Sequence, residues 1–150
     1  MSVWPRLELI VTTRLINPDI QSLEDSTMVK VSITLQNKGV GPALVEEART
    51  FADGRPAAEL VAALVQVLPA KSINAGFSRI TDRTMLPGDS LNVAVFYAFA
   101  SERQVRQSLS RLDLQICYCS VYKDCWTLVK AQMGNGTKSV YRQTGACRVE

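Results

Sequence analysis

Leu112-Asp113-Leu114-Gln115-Ile116-Cys117-Tyr118-Cys119, then Ser120-Val121-Tyr122-Lys123-Asp124, then Cys125-Trp126-Thr127-Leu128: this stretch decides how the chain folds. Apolar residues fall on every second position up to Tyr118, the period of a strand with one buried face and one wet face. If Leu112, Leu114, Ile116 and Tyr118 take the core face, Cys117 and Cys119 take the outer face with Asp113 and Gln115. A five-residue hairpin loop over Ser120 to Asp124 sets Tyr118 opposite Trp126 and Ile116 opposite Leu128, both as core pairs. The same register sets Cys119 opposite Cys125 on the outer face, so packing and sulfur pairing select one alignment. Cys117 is then paired with Cys147 by subtraction, tying the tail across the outer face. Four cysteines allow three connectivities, so this pairing is a choice among them.

The same period of two recurs upstream. Leu7, Leu9 and Val11 point one way, and Val29, Val31, Ile33 and Leu35 alternate with Lys30, Ser32, Thr34 and Gln36. Leu91, Val93, Val95 and Tyr97 repeat the pattern. Turn signals separate the runs: Asn17-Pro18-Asp19, Asn37-Lys38-Gly39, Asp53-Gly54, Pro87-Gly88-Asp89 and Asn135-Gly136. Two stretches break it. Pro56 to Leu68 is rich in alanine and leucine, with Pro56 suited to a first helical turn, and reads as a short helix. A strand over Val61–Leu68 is the alternative, because β-branched residues thicken there. In residues 101–109, Ser101 can cap, Glu102 sits in the first turn, and Val105 and Leu109 lie i, i+4, so an exposed connecting helix is expected.

The expected fold is therefore all-β: an antiparallel sandwich of about seven strands with one or two short connecting helices, 56–68 and 101–109. Residues 1–131 make up the sandwich and 132–150 a polar tail packed on it. A chain of 150 residues can bury roughly two-thirds of its unfolded surface, enough for a core of this kind.

Composition narrows function mainly by exclusion. The net charge of +3 is too weak to argue for nucleic acid, although residues 101–150 carry eight basic and four acidic side chains. Arg103, Arg106 and Arg111 with Lys123 could form a basic strip, but solvated charges are the plainer reading. The chain has no histidine, which removes the commonest general base, the usual zinc ligand and the middle member of most nucleophilic triads. Glu24-Asp25 and Glu46-Glu47 are sequence neighbours and would face opposite sides of a strand, so neither forms an acid/base pair. No phosphate-loop pattern occurs. The sequence thus offers no catalytic residue, no cofactor and no small-molecule substrate. Asn135-Gly136-Thr137 matches a glycosylation acceptor and reads equally as a turn. No apolar run is long enough to cross a bilayer, and Met1-Ser2-Val3-Trp4-Pro5 has neither a charged nor an apolar leader region. Strand-like sequence begins at once, at Leu7, which suggests a piece from behind an upstream anchor or signal.

Leu35-Gln36-Asn37-Lys38-Gly39-Val40-Gly41-Pro42-Ala43, the later Met85-Leu86-Pro87-Gly88-Asp89-Ser90-Leu91 and the strand carrying Tyr118 together resemble bacterial extracytoplasmic immunoglobulin-like domains. The resemblance covers about residues 6–130 and rests on turn motifs. It implies an immunoglobulin-like sandwich outside the cytoplasm, periplasmic or at the cell surface, often an ectodomain behind a single N-terminal membrane helix. It carries over no catalytic residue.

For the sulfurs themselves, structural disulfides are the leading reading, and they imply an oxidising compartment. A four-thiolate metal site fits the spacing poorly, since the usual knuckle is CxxC and this chain has CxC. A redox dithiol lacks a thioredoxin-like context. Two functions are carried forward. One is a non-catalytic module that binds an unknown protein partner or envelope component, with Leu60, Leu64 and Leu68 and the loop residues Tyr122 and Lys123 as candidate surfaces. The other is a thiol-based redox protein or a metal-binding protein with four cysteine ligands.

Overall fold

A computed structural model describes residues 4–16, 28–69, 72–135 and 139–147. The expected turn at residues 17–19, the Glu24-Asp25 pair and Gly136-Thr137 lie outside the described residues. In chain order come β1 (Leu7–Ile16), β2 (Met28–Asn37), β3 (Ala43–Ala52), β4 (Arg55–Ala57), α1 (Leu60–Val67), β5 (Ile73–Phe77) and β6 (Arg83–Met85). Then follow β7 (Ser90–Phe99), α2 (Glu102–Leu109), β8 (Leu112–Cys119), β9 (Cys125–Lys130), a 3-10 turn at Met133–Asn135 and β10 (Val140–Thr144). Beyond the seven or so strands anticipated, the described residues add the three-residue β4 and β6 and the tail strand β10.

The strands form two antiparallel sheets, one ordered β1-β2-β7-β5 and the other β10-β9-β8-β3-β4, with β6 also paired to β3. Their inner faces close on one apolar core. Leu7, Leu9, Val29, Val31, Ile33 and Leu35 come from the first sheet, and Val45, Leu112, Leu114, Ile116, Tyr118 and Leu128 from the second. The fold is an all-β antiparallel sandwich with two short helices. Among the described residues, no helix is long and apolar enough to cross a membrane.

Simple alternation fails in β7. Asn92 lies opposite Thr34 and Ala94 opposite Ile33, leaving Val93 as an extra residue in the ladder. Such a bulge flips the facing of every residue beyond it. Phe96 and Ala98 are therefore buried, while Val95 and Tyr97 turn outward, the reverse of the expected parity.

The two turn motifs meet at Asn37, which is buried. Its Nδ2 donates to the carbonyls of Gly41 and Met85, both at 2.9 Å. Its Oδ1 accepts from the amides of Gly39 at 3.0 Å and Arg6 at 3.2 Å. Leu86-Pro87-Gly88-Asp89 closes as a turn through the Asp89 amide and the Leu86 carbonyl at 2.9 Å, with Gly88 at φ 87°, as a type II turn requires. Gly39, in contrast, does not use left-handed backbone. A Cβ there would come within 2.4 Å of the Arg6 nitrogen and the Trp4 oxygen, so the position needs glycine for close approach.

The helices are shorter than anticipated, and one begins later. The Asp53-Gly54 turn, with φ of 54° and 78°, folds Arg55-Pro56-Ala57 back onto β3, with Pro56 opposite Phe51. Pro56 therefore sits in an edge strand and not in a helical first turn, and the helix starts at Leu60. α1 packs on β3 through its buried face. Leu64 and Leu68 are 0% and 5% exposed and Leu60 is half-buried. Leu64 and Leu68 are therefore not available as an interaction surface, because their side chains belong to the core, while Leu60 packs against it with part of its surface open. α2 matches its reading: the Ser101 hydroxyl accepts from the Gln104 amide, the Gln104 side chain answers to the Ser101 amide, and Val105 and Leu109 are buried.

Candidate functional site: a sulfur-clamped hairpin

The β8–β9 hairpin carries the expected register, with Tyr118 opposite Trp126, Ile116 opposite Leu128 and Cys119 opposite Cys125. Tyr118 is buried and stacks on Trp126 with ring centroids 5.9 Å apart. Burial pushes the Tyr118 hydroxyl up to about 12, only partly offset by a hydrogen bond from the Leu7 backbone.

On the opposite face lie the sulfurs. Cys119 is bonded to Cys125, and Cys117 to Cys147. All four cysteines are paired. They form an apolar cluster separate from the main core. Although on the outer face of the sheet, they are buried. On the chain-entropy model the short bridge contributes about 2 kcal/mol and the long one about 4 kcal/mol. The long bridge is not the tail's only anchor. Met133 is buried in the core, β10 pairs along β9, and the Tyr141 hydroxyl donates to the Leu7 carbonyl at 2.6 Å.

Beyond Cys119 the loop is held from within. The Ser120 amide donates to the Asp124 carbonyl at 2.8 Å, and the Lys123 amide donates to the Ser120 carbonyl at 3.0 Å. The buried Ser120 hydroxyl oxygen accepts from the amides of Tyr122 at 3.2 Å and Asp124 at 3.4 Å. Lys123 takes left-handed backbone, φ 66°. With the Ser120 hydroxyl turned inward, the loop presents Val121 and Tyr122, 58% and 68% exposed, and Lys123 beside them. Beside the loop lies a cleft of about 440 Å³ whose lining includes Glu46, Lys123, Cys119, Cys125 and Cys147.

The structure thus keeps Tyr122 and Lys123 together on an exposed loop and buries Leu64 and Leu68, leaving Leu60 half-exposed. It also adds groups that sequence reading missed. Trp4 packs on Trp126 at 5.5 Å, and the Arg6 guanidinium lies 5.4 Å over the Tyr141 ring. These side chains rim a shallow cleft of about 340 Å³ at the end of the sandwich. No local pattern announces it, because its residues come from both ends of the chain. Two of the four side chains in the suspected basic strip are ion-paired: Arg106 with Glu102 at 2.6 Å and Arg111 with Asp53 at 2.5 Å. The Arg111 pair holds the Asp53 carboxyl below its ordinary value, chiefly by hydrogen bonding. No family model, curated protein or solved structure matches the chain.

Proposed function

We propose that this domain is a non-catalytic interaction module working outside the cytoplasm, periplasmic or at the cell surface, that meets a protein partner through the tip of the β8–β9 hairpin. One observation carries the reading: Tyr122, 68% exposed, stands on a loop whose base is closed by Cys119–Cys125 and whose interior is tied by Ser120. A loop fixed before binding loses little conformational entropy on contact, and aromatic side chains are preferred anchors at protein interfaces. Lys123 adds a charge beside the aromatic. Two disulfides fit a non-reducing compartment. The immunoglobulin-like resemblance of the turn motifs adds the expectation of a membrane anchor upstream.

A photo-crosslinking residue placed at position 122, in cells that naturally make the protein, tests the reading. A discrete adduct from position 122 is expected, none from exposed Val65 on α1, and loss of the adduct in C119S. No adduct at 122, or equal adducts from both positions, would overturn it.

A further inference from the structure

Four cysteines from three segments form one buried cluster. Cys117 and Cys119 come from β8, Cys125 from β9 and Cys147 from the tail past β10. The sulfurs of Cys119, Cys125 and Cys147 all lie within 4.8 Å of one another, and Cys117 is bonded to Cys147. The Cys119 and Cys147 sulfurs, not bonded to each other, are 3.6 Å apart. Thiolates on one tetrahedral zinc sit about 2.3 Å from the metal, hence about 3.8 Å from each other. The unbonded pair already stands near that edge length.

We propose that, once both disulfides are reduced, Cys117, Cys119, Cys125 and Cys147 bind one zinc ion as a four-thiolate site. The domain then has two closed forms, one held by sulfur bridges and one held by metal. The spacing objection dissolves in three dimensions. A knuckle needs CxxC because one short loop must aim two sulfurs at one metal. Here a strand places alternate residues on one face, β9 supplies the third ligand and the tail the fourth.

Three further features suit the exchange. The sulfur cluster is separate from the main core, so opening the bridges removes no contact within the sandwich core itself. The cleft of about 440 Å³ gives solvent and metal a path to Cys119, Cys125 and Cys147. The Thr144 hydroxyl lies 3.8 Å from the Cys117 sulfur, placed to donate to a thiolate there.

The chemistry balances. Each disulfide takes two electrons and two protons from a dithiol, which leaves as its own disulfide. Zinc then displaces the four thiol protons to solvent, leaving a site with two net negative charges. A disulfide-class oxidant reverses the sequence, drawing two electrons from each thiolate pair and releasing the ion.

The proposal rests on sulfur geometry and is independent of the hairpin's partner. The 150-residue chain is reduced anaerobically with dithiothreitol, freed of it and titrated with cobalt(II). One equivalent should bind with the charge-transfer and visible bands of tetrahedral four-thiolate cobalt, and zinc should displace it one for one. C117S and C147S should each hold zinc at least about tenfold more weakly. Far-ultraviolet circular dichroism follows the sheet throughout. If reduction loosens the tail, metal should restore it. Absence of the tetrahedral bands, whether the sheet persists or is lost, would overturn the proposal. So would equal cobalt binding by the oxidised chain.

Discussion

Asn37 Nδ2 donates to the Met85 carbonyl at 2.9 Å, which joins the turn after β2 to the turn before β7. The same side chain holds the Gly41 carbonyl and the amides of Gly39 and Arg6. Asn37→Ala leaves these buried or half-buried backbone groups without that partner. Such losses cost about 2–4 kcal/mol together. Urea unfolding should show a large drop in midpoint with the slope unchanged.

Tyr118 makes stability depend on alkaline pH. Its hydroxyl titrates near 10 when unfolded and near 12 when folded, because burial disfavours the phenolate. The folded state therefore holds the proton more tightly, and the unfolded state alone loses it between those values. The stability from this group is complete below pH 10 and is lost as pH rises towards 12. Melting temperature followed from about pH 9 to about pH 12 should fall more steeply in the native chain than in Tyr118→Phe. Parallel curves would show that the hydroxyl does not carry the effect.

The hairpin loop offers two opposed substitutions. Lys123 occupies left-handed backbone, which costs a residue with a Cβ of order 1 kcal/mol. Lys123→Gly relieves that strain but loosens the unfolded chain, so it should leave the fold no less stable and at most about 1 kcal/mol more stable. Ser120→Ala removes the acceptor for the Tyr122 and Asp124 amides and should cost about 1–2 kcal/mol. Chemical denaturation of the oxidised proteins measures both.

The bulge at Val93 reverses which β7 residues matter. Phe96→Ala should cost about 3–5 kcal/mol, as for an aromatic removed from a packed core. Val95→Thr, on the outward face, should stay within about 0.5 kcal/mol of the native chain. The uninterrupted alternation Leu91-Val93-Val95-Tyr97 would order these two the other way.

Much of the second sheet was legible because one hairpin register satisfied two independent demands. Apolar parity placed Tyr118 on Trp126, and that same alignment placed Cys119 on Cys125. The Leu86–Asp89 turn was legible from Pro87-Gly88, since few conformations suit that pair. What escaped depended on contacts distant in sequence. An inserted residue in a ladder leaves no mark in an alternating run of valines, so the flip at Val93 was invisible. Pro56 suits an edge strand as well as a helix start, and only the tight Asp53-Gly54 turn decides between them. The burial of Leu64 and Leu68 depends on β3 lying beneath α1. The approach of Cys119 to Cys147 depends on β10 bringing the tail alongside β9, which spacing along the chain does not reveal.

Peptide mapping of the oxidised protein under non-reducing conditions, with a count of free thiols, tests the clamped hairpin most directly. Cys119 linked to Cys125, Cys117 linked to Cys147, and no free thiol are the expected result. A Cys119–Cys147 or Cys117–Cys125 linkage, or two or more free thiols in the native protein, would contradict it.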